Sequence, residues 1–250
     1  MLIVKGVVLN NSPSDLSHAT LGNIAKNNNL TNGSASVILN EVTSNRASSL
    51  NGFIEVAGQR ADVVIANPNG ISCSGCSFIN TNKAILTTGK VTFSDTGAIA
   101  SYDVTGGKLS IDKNGMDASN SYAVLLADAI AINGTVNATN AIVAAGNFTF
   151  DNGSGAITSA GKAATARQYV YPEYSIDISN LGGIKANSIT MVGNNLGFGV
   201  RNKGAIVANT SLSLTSFGSL TNEGSIASNG MMTQVLSAGN FKKYGKYILE

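Results

Sequence analysis

The sequence predicts an all-β chain wound as a parallel β-helix, a solenoid with strands or hairpins outside the main coil. Three observations lead there. Helical periodicity is nearly absent, short β-branched runs alternate with Gly, Asn, Asp and Ser breaks, and a glycine-led motif recurs about every twenty residues. The runs fall at residues 36–39, 61–66, 84–88, 129–132, 141–144, 188–192 and 211–215.

The breaks come first, because they set the corners. The 250-residue chain holds thirty Asn and 28 Gly, the residues that most readily accept positive φ. Hydrophobic residues still make up 43%, which argues against disorder. Trp is absent and aromatics are 6%, so the expected interior is Val, Ile, Leu and Ala in narrow layers. A net charge of +2 is too small to draw nucleic acid or an anionic membrane as partner. No window of about 18 apolar residues is present, so no helix is expected to insert in a membrane. Residues 1–10 read as a strand rather than a leader.

The spacing of the repeats selects the architecture. Gly183-Ile184-Lys185-Ala186-Asn187 returns as Gly204-Ala205-Ile206-Val207-Ala208-Asn209 and as Gly224-Ser225-Ile226-Ala227-Ser228-Asn229, with glycines 21 and 20 apart. Gly115 and Gly134 open an earlier pair. Leucine-rich repeats share the period but need a leucine ladder that this chain lacks. Coils of a parallel β-helix stack about 4.8 Å apart, so about a dozen coils would give a rod on the order of 55 Å. A lone coil buries too little to offset the ordering of its residues, so each depends on its neighbours. Ile65 and Ile85 are expected on the inner wall. Residues 158–175, with Lys162, Arg167, Tyr169, Tyr171, Pro172 and Tyr174, read as an excursion outside the helix. Residues 241–250 read as a last edge.

Asn67-Pro68-Asn69-Gly70 has the residues of a type I turn, between the strand-like runs 63–65 and 78–79. Cys73-x-x-Cys76 follows at once. Structural zinc needs four ligands, and two cysteines with one histidine, His18, do not supply them. A thioredoxin-type pair wants a helix N-terminus inside a βαβ unit, which the pattern does not offer. A local disulfide clipping the turn is the favoured reading; it closes a tiny loop and implies an oxidising compartment. No metal site and no cofactor are expected.

From Ser36 to Gly89, "SVILNEVTSNRASSLNGFIEVAGQRADVVIANPNGISCSGCSFINTNKAILTTG", the chain resembles the secretion domain of two-partner secretion exoproteins. This family includes filamentous haemagglutinins, secreted haemolysins and contact-dependent growth-inhibition proteins. "GVVLNNS" at 6–12 and the stretches 122–147 and 181–206 fit the same family. The resemblance implies a right-handed parallel β-helix, one secretion domain over 1–250, near the N-terminus of a large exoprotein. It also implies recognition in the periplasm by the periplasmic domains of an outer-membrane β-barrel transporter, then passage through that pore and folding outside. Of the two family signatures, Asn-Pro-Asn-Gly-Ile is intact as Asn67, Pro68, Asn69, Gly70 and Ile71. Asn-Pro-Asn-Leu aligns with Asn27, Asn28, Asn29 and Leu30, with Asn28 in place of proline. Family members carry a signal peptide and opening strands before the "GVVLNN" stretch. Only residues 1–5 precede it here, which leads to the expectation of an incomplete N-terminal cap.

Each candidate residue also has a plainer reading. The two Asn turns serve folding as readily as recognition. Arg46, Glu55, Gln59 and Arg60 are candidate contacts for the transporter, or solvated charges on an outer face. His18 reads as a surface or loop histidine. The 14 acidic residues are scattered singly, without the paired carboxylates of a β-helical polysaccharide-degrading enzyme, so no catalytic residue is assigned. An adhesin-type β-helix, binding host glycans or proteins on a flat polar wall, is the remaining alternative. The expected state is a monomer, secreted or on the surface of a Gram-negative bacterium.

Overall fold

The computed structural model describes residues 3–4, 6–19, 21–159, 174–195, 198–230 and 232–249. The strands, numbered along the chain, build a three-sided parallel β-helix with two additions outside it. The first wall carries β1 (Ile3–Val4), β6 (Ser48–Leu50), β9 (Ile71–Cys73), β14 (Lys108–Ile111), β16 (Ala129–Ile132), β20 (Tyr174–Ile178), β22 (Gly199–Asn202), β24 (Leu220–Asn222) and β27 (Phe241–Lys243). The second carries β2 (Val7–Asn11), β7 (Phe53–Gly58), β10 (Cys76–Ile79), β15 (Met116–Ala127), β17 (Thr135–Ala145), β21 (Gly183–Gly193), β23 (Ala205–Ser216), β25 (Ser225–Ser228) and β28 (Lys246–Leu249). The third begins with β5 (Val37–Glu41), β8 (Ala61–Ala66) and β11 (Thr81–Thr87). It continues through the second halves of β15, β17, β21 and β23 and ends at β26 (Met232–Ser237). Register slips at Ala118/Tyr122 and Ala186/Ser188 mark where those long strands leave one wall for the next.

Among the described residues the first wall has nine strands, fewer than the expected dozen coils, so the described stack is about 40 Å long. The missing coils were spent outside the helix. A hairpin, β3 (Leu16–His18) with β4 (Gly22–Ile24), leaves after β2. A four-stranded antiparallel sheet forms from β12 (Lys90–Phe93), β13 (Ile99–Val104), β18 (Phe148–Asp151) and β19 (Ile157–Ser159). Most of the excursion expected at 158–175, including Lys162, Arg167, Tyr169, Tyr171 and Pro172, lies outside the described residues; Tyr174 opens β20. Residues 241–249 are a further coil, β27 and β28, stacked on β24 and β25.

The repeat shows itself in register, displaced by one residue from the sequence reading. Ile184, Ile206 and Ile226 stack inward, and Gly182, not Gly183, is the partner of Gly204. A Cβ on Gly204 would lie 1.9 Å from the Gly182 carbonyl oxygen, and one on Gly224 would lie 2.1 Å from that of Gly204. The corner is tight enough that only glycine fits.

Two cores result. The inner one is Val, Ile, Leu, Ala, Phe78 and two Met inside the coils. The outer one lies between the third wall and the antiparallel sheet. It joins Val64, Ala66, Ile85, Val124, Leu126 and Ala144 to Tyr102, Phe148 and Phe150. Ile65 faces inward as expected, but Ile85 faces this outer core, because its register partner is Val64 and not Ile65. Strands buried on both sides read as continuous apolar runs, as 63–66 does. Farther along, the same outward row becomes Thr190, Ser213 and Gln234, where the covering sheet ends.

Candidate functional site

The Asn67–Gly70 turn occupies the corner between the third wall and the first, where β8 hands over to β9. The Gly70 amide donates to the Asn67 carbonyl at 3.1 Å, closing the turn. The Asn69 amide donates to Asn67 Oδ1 at 3.0 Å, an Asx turn laid over the first. Asn67 itself is wholly buried, and its Nδ2 donates to the Arg46 carbonyl at 2.9 Å and Ser48 Oγ at 2.8 Å in the preceding coil. Asn69 Nδ2 reaches the Ser44 carbonyl at 2.7 Å. Gly70 has φ +112°, and a Cβ there would stand 3.0 Å from the Lys108 carbonyl of the next coil. Pro68 and Asn69 are exposed. The inner half of the motif is thus consumed in joining coils, and the outer half faces solvent.

Asn27–Leu30 repeats this geometry without the proline. The Leu30 amide donates to the Asn27 carbonyl at 3.1 Å, and the Asn29 amide to Asn27 Oδ1 at 3.1 Å. Asn27 Nδ2 donates to the Asn10 carbonyl at 3.0 Å. Asn28 stands exposed at the second position, as Pro68 does. The difference is depth: Asn27 is half-buried where Asn67 is buried.

Cys73 and Cys76 are joined as a disulfide. Cys73 ends β9 and Cys76 begins β10, so the bridge spans the corner between the first and second walls. The bridge clips this bend as expected, and both residues belong to the inner core, so it does so from inside the helix. Cys73 stacks between Leu50 and Ile111, and Cys76 on Met116.

The four charged or polar candidates do not come together. Arg46 is exposed beside the Asn67–Gly70 turn. Glu55, on the outer side of β7, lies 2.9 Å from Nε2 of His18, whose Nδ1 accepts the Leu21 amide at 3.0 Å. His18 therefore holds the β3–β4 hairpin to the second wall. Gln59 accepts from Asn11 Nδ2 through its carbonyl at 2.8 Å. The Arg60 guanidinium donates to the Thr81 carbonyl at 2.7 Å and to the Asn120 carbonyl, tying successive coils at the next corner. The sequence reading missed this clamp, and also Asn11, whose buried amide holds Ala35 from both sides at 2.8 and 2.7 Å. An Asn at the end of an apolar run was the available signal, directly after Ala66 for Asn67 and one residue later, behind Asn10, for Asn11.

Several other ionisable groups interact locally. Arg201 makes a two-pronged pair with Asp177 at 2.8 and 2.7 Å and lies over the Tyr174 ring at 4.4 Å. Burial pushes the Asp62 carboxyl above its usual range, against the pull of Lys83. Burial, then the charge of Asp62, raises the Tyr102 phenol. Three surface grooves hold Asp15, Asp117 and Glu223 one apiece, so no carboxylate pair is assembled in them. Among the described residues no group of three or more His, Cys, Asp or Glu gathers as a metal site. Among the described residues no helix is long and apolar enough to cross a membrane.

A stacked helix with an Asn-Pro-Asn-Gly corner invites comparison with known proteins. The family model of the TPS secretion domain matches residues 3–228. The "Toxin CdiA" of Yersinia pestis is 39% identical over 226 residues, covering 90% of this chain and 7% of that protein. The "16S rRNA endonuclease CdiA" of Enterobacter cloacae is 37% identical over 229 residues, again 90% of this chain and 7% of that one. The chain therefore spans less than a tenth of the curated relatives it matches. Among solved structures, "Crystal structure of filamentous hemagglutinin secretion domain" superposes with a TM-score of 0.84 at 32% identity, covering 99% of this chain and 87% of the other. The chain belongs to the TPS secretion domain family, the secretion-targeting domains of two-partner secretion exoproteins.

Proposed function

We propose that this chain directs a larger exoprotein to an outer-membrane β-barrel transporter, whose periplasmic domains engage it before it passes outward and folds. The observation that carries this reading is the family match across almost the whole chain, joined to a fold in which every coil depends on the coil before it. Stacking supplies a direction: each coil that closes outside buries apolar surface that the threaded chain exposes, and return through the pore would undo it. The domain works by being recognised and by folding, with no catalytic step of its own. Its route runs through the periplasm to the medium or the cell surface.

The accessible part of the Asn67–Gly70 corner, namely Arg46, Pro68 and Asn69, is the proposed contact for the transporter. Residues 44–46 are fastened to that turn by Asn67 and Asn69, and all three side chains face solvent. Co-expression with the transporter, of the chain fused to a signal peptide, tests both parts. Wild-type chain is expected in the medium only when the transporter is present. An Arg46→Glu, Asn69→Ala double variant gives up the exposed bond to the Ser44 carbonyl, at a cost of about 1 kcal/mol or less, and is expected to stay folded and lose export. Transporter-independent release would refute the targeting role. Full export of the double variant would move the contact elsewhere.

A further inference from the structure

The Cys73–Cys76 bridge sits where nothing in solution can reach it. Both residues are 0% exposed. Coils close over them from both sides, with Leu50 below Cys73, Ile111 above it and Met116 against Cys76. The backbone between them is fastened to both neighbours: the Ser74 amide donates to the Leu50 carbonyl and the Gly75 amide to the Gly115 carbonyl, each at 2.9 Å. Thiol–disulfide exchange requires an attacking sulfur to approach the reacting sulfur directly, so its rate depends on access. A finished helix denies that access. The bridge, in contrast, asks nothing of the rest of the fold. Two residues separate the cysteines, their Cα atoms stand 5.4 Å apart, and Gly75 takes the positive φ of +70° that the bend uses.

From this burial and this short span we infer that Cys73 and Cys76 are oxidised on the unfolded chain in the periplasm, by a dithiol oxidant that carries its own disulfide, before any coil closes over them. The inference rests on the export reading above. One cysteine thiolate attacks a sulfur of the oxidant's disulfide, forming a mixed disulfide and releasing one oxidant thiolate. The second cysteine thiolate then attacks the first cysteine's sulfur in that mixed disulfide, closing the Cys73–Cys76 bond and releasing the second oxidant thiolate. Two electrons pass to the oxidant, which leaves as a dithiol, and the two thiol protons go to solvent or to it. The chain then travels as a thread with one closed four-residue loop, too small to obstruct a pore that admits unfolded chain. It arrives outside with the bend between the first and second walls already set.

Acid quenching and maleimide–polyethylene glycol gel shifts read the thiol state. In cells that lack the transporter, periplasm-held chain is expected to show no free thiol. In cells that have the transporter but lack the periplasmic thiol oxidant, exported chain is expected to carry both thiols and keep them in aerated medium. Free thiols on periplasm-held chain, with the bridge appearing only outside, would overturn the inference. A purified chain gives an independent measurement. Reduced in urea and refolded by dilution, it is expected to react with a soluble aromatic disulfide reagent about 100-fold more slowly than the same chain kept in urea; equal rates would sink the argument from burial. Failure of the wild type to reach the medium would count against the targeting reading, while the thiol state in the periplasm would still decide this one.

Discussion

Replacing Asn67 by alanine isolates what the family turn does for the fold. The substitution removes two donors to the preceding coil, to the Arg46 carbonyl and Ser48 Oγ, and the acceptor that organises the Asn69 amide. Ser48 is fully buried, so its hydroxyl loses a partner that water cannot replace. Asn69 faces solvent, so its amide finds water and adds little. Two cross-coil bonds at about 1 kcal/mol each, with part of the desolvation penalty for the orphaned Ser48 hydroxyl, give a loss of about 2–3 kcal/mol. Asn27→Ala gives up one bond to the Asn10 carbonyl of β2 in a half-buried setting, so about 1 kcal/mol is expected there. Urea unfolding followed by circular dichroism gives both values. Hydrogen exchange at the Ser48, Asn69 and Gly70 amides localises the effect. An Asn67→Ala chain within about 0.5 kcal/mol of wild type, or equal to Asn27→Ala, would refute the claim that the buried asparagine joins coils.

Asn28→Pro is expected to stabilise the chain by about 0.4–1 kcal/mol, because the equivalent position of the deeper turn already holds proline; a lower urea midpoint would count against equivalence of the two turns. Gly70→Ala must place a Cβ at φ +112° against the Lys108 carbonyl, and a loss of more than about 1 kcal/mol is expected by thermal unfolding. Arg60→Met keeps the aliphatic stem and removes the bonds to Thr81 and Asn120, so faster hydrogen exchange is expected at the corner between β7 and β8, with β24 unchanged. Asp62 has a folded-state pKa raised above its unfolded value, so the folded state holds its proton to higher pH. Stability should therefore fall as pH rises from the unfolded value through the folded one. Asp62→Asn should flatten that part of the urea-midpoint profile and leave the variant no less stable at pH 7.

The stacked helix was legible because its corners are chemically explicit. Gly204 and Gly224 sit where a Cβ would strike the coil beneath, so the period had to appear in the sequence. The Asn67–Gly70 turn was legible for the same reason. The antiparallel sheet was not, because Lys90–Phe93 and Ile99–Val104 have the same strand composition as the coils and differ only in where they go. One signal was present. A narrow coil interior suits Val, Ile, Leu and Ala, yet Tyr102, Phe148 and Phe150 cluster in two segments, and these large rings fill the wider gap beneath the added sheet. Ile85 was misplaced because in a strand buried on both sides the usual alternation vanishes, leaving nothing in residues 84–87 to tell inside from outside. The contacts of Arg60 and His18 join residues far apart in the chain, and no local pattern encodes them.

The sheet that covers the third wall is assembled from pieces that arrive at different times. Strand β13 is flanked by β12, which comes just ahead of it, and by β18, which follows only after β14, β15, β16 and β17 have been laid down. Until Phe148 and Phe150 reach their places, the outward faces of Val64, Ile85 and Val124 wait beneath half a lid. On the proposed export route, a chain whose N-terminal coils form first carries a sticky flank for as long as those intervening windings take to form. The pace at which that stretch folds then decides whether the flank meets its own late strands or a neighbour's.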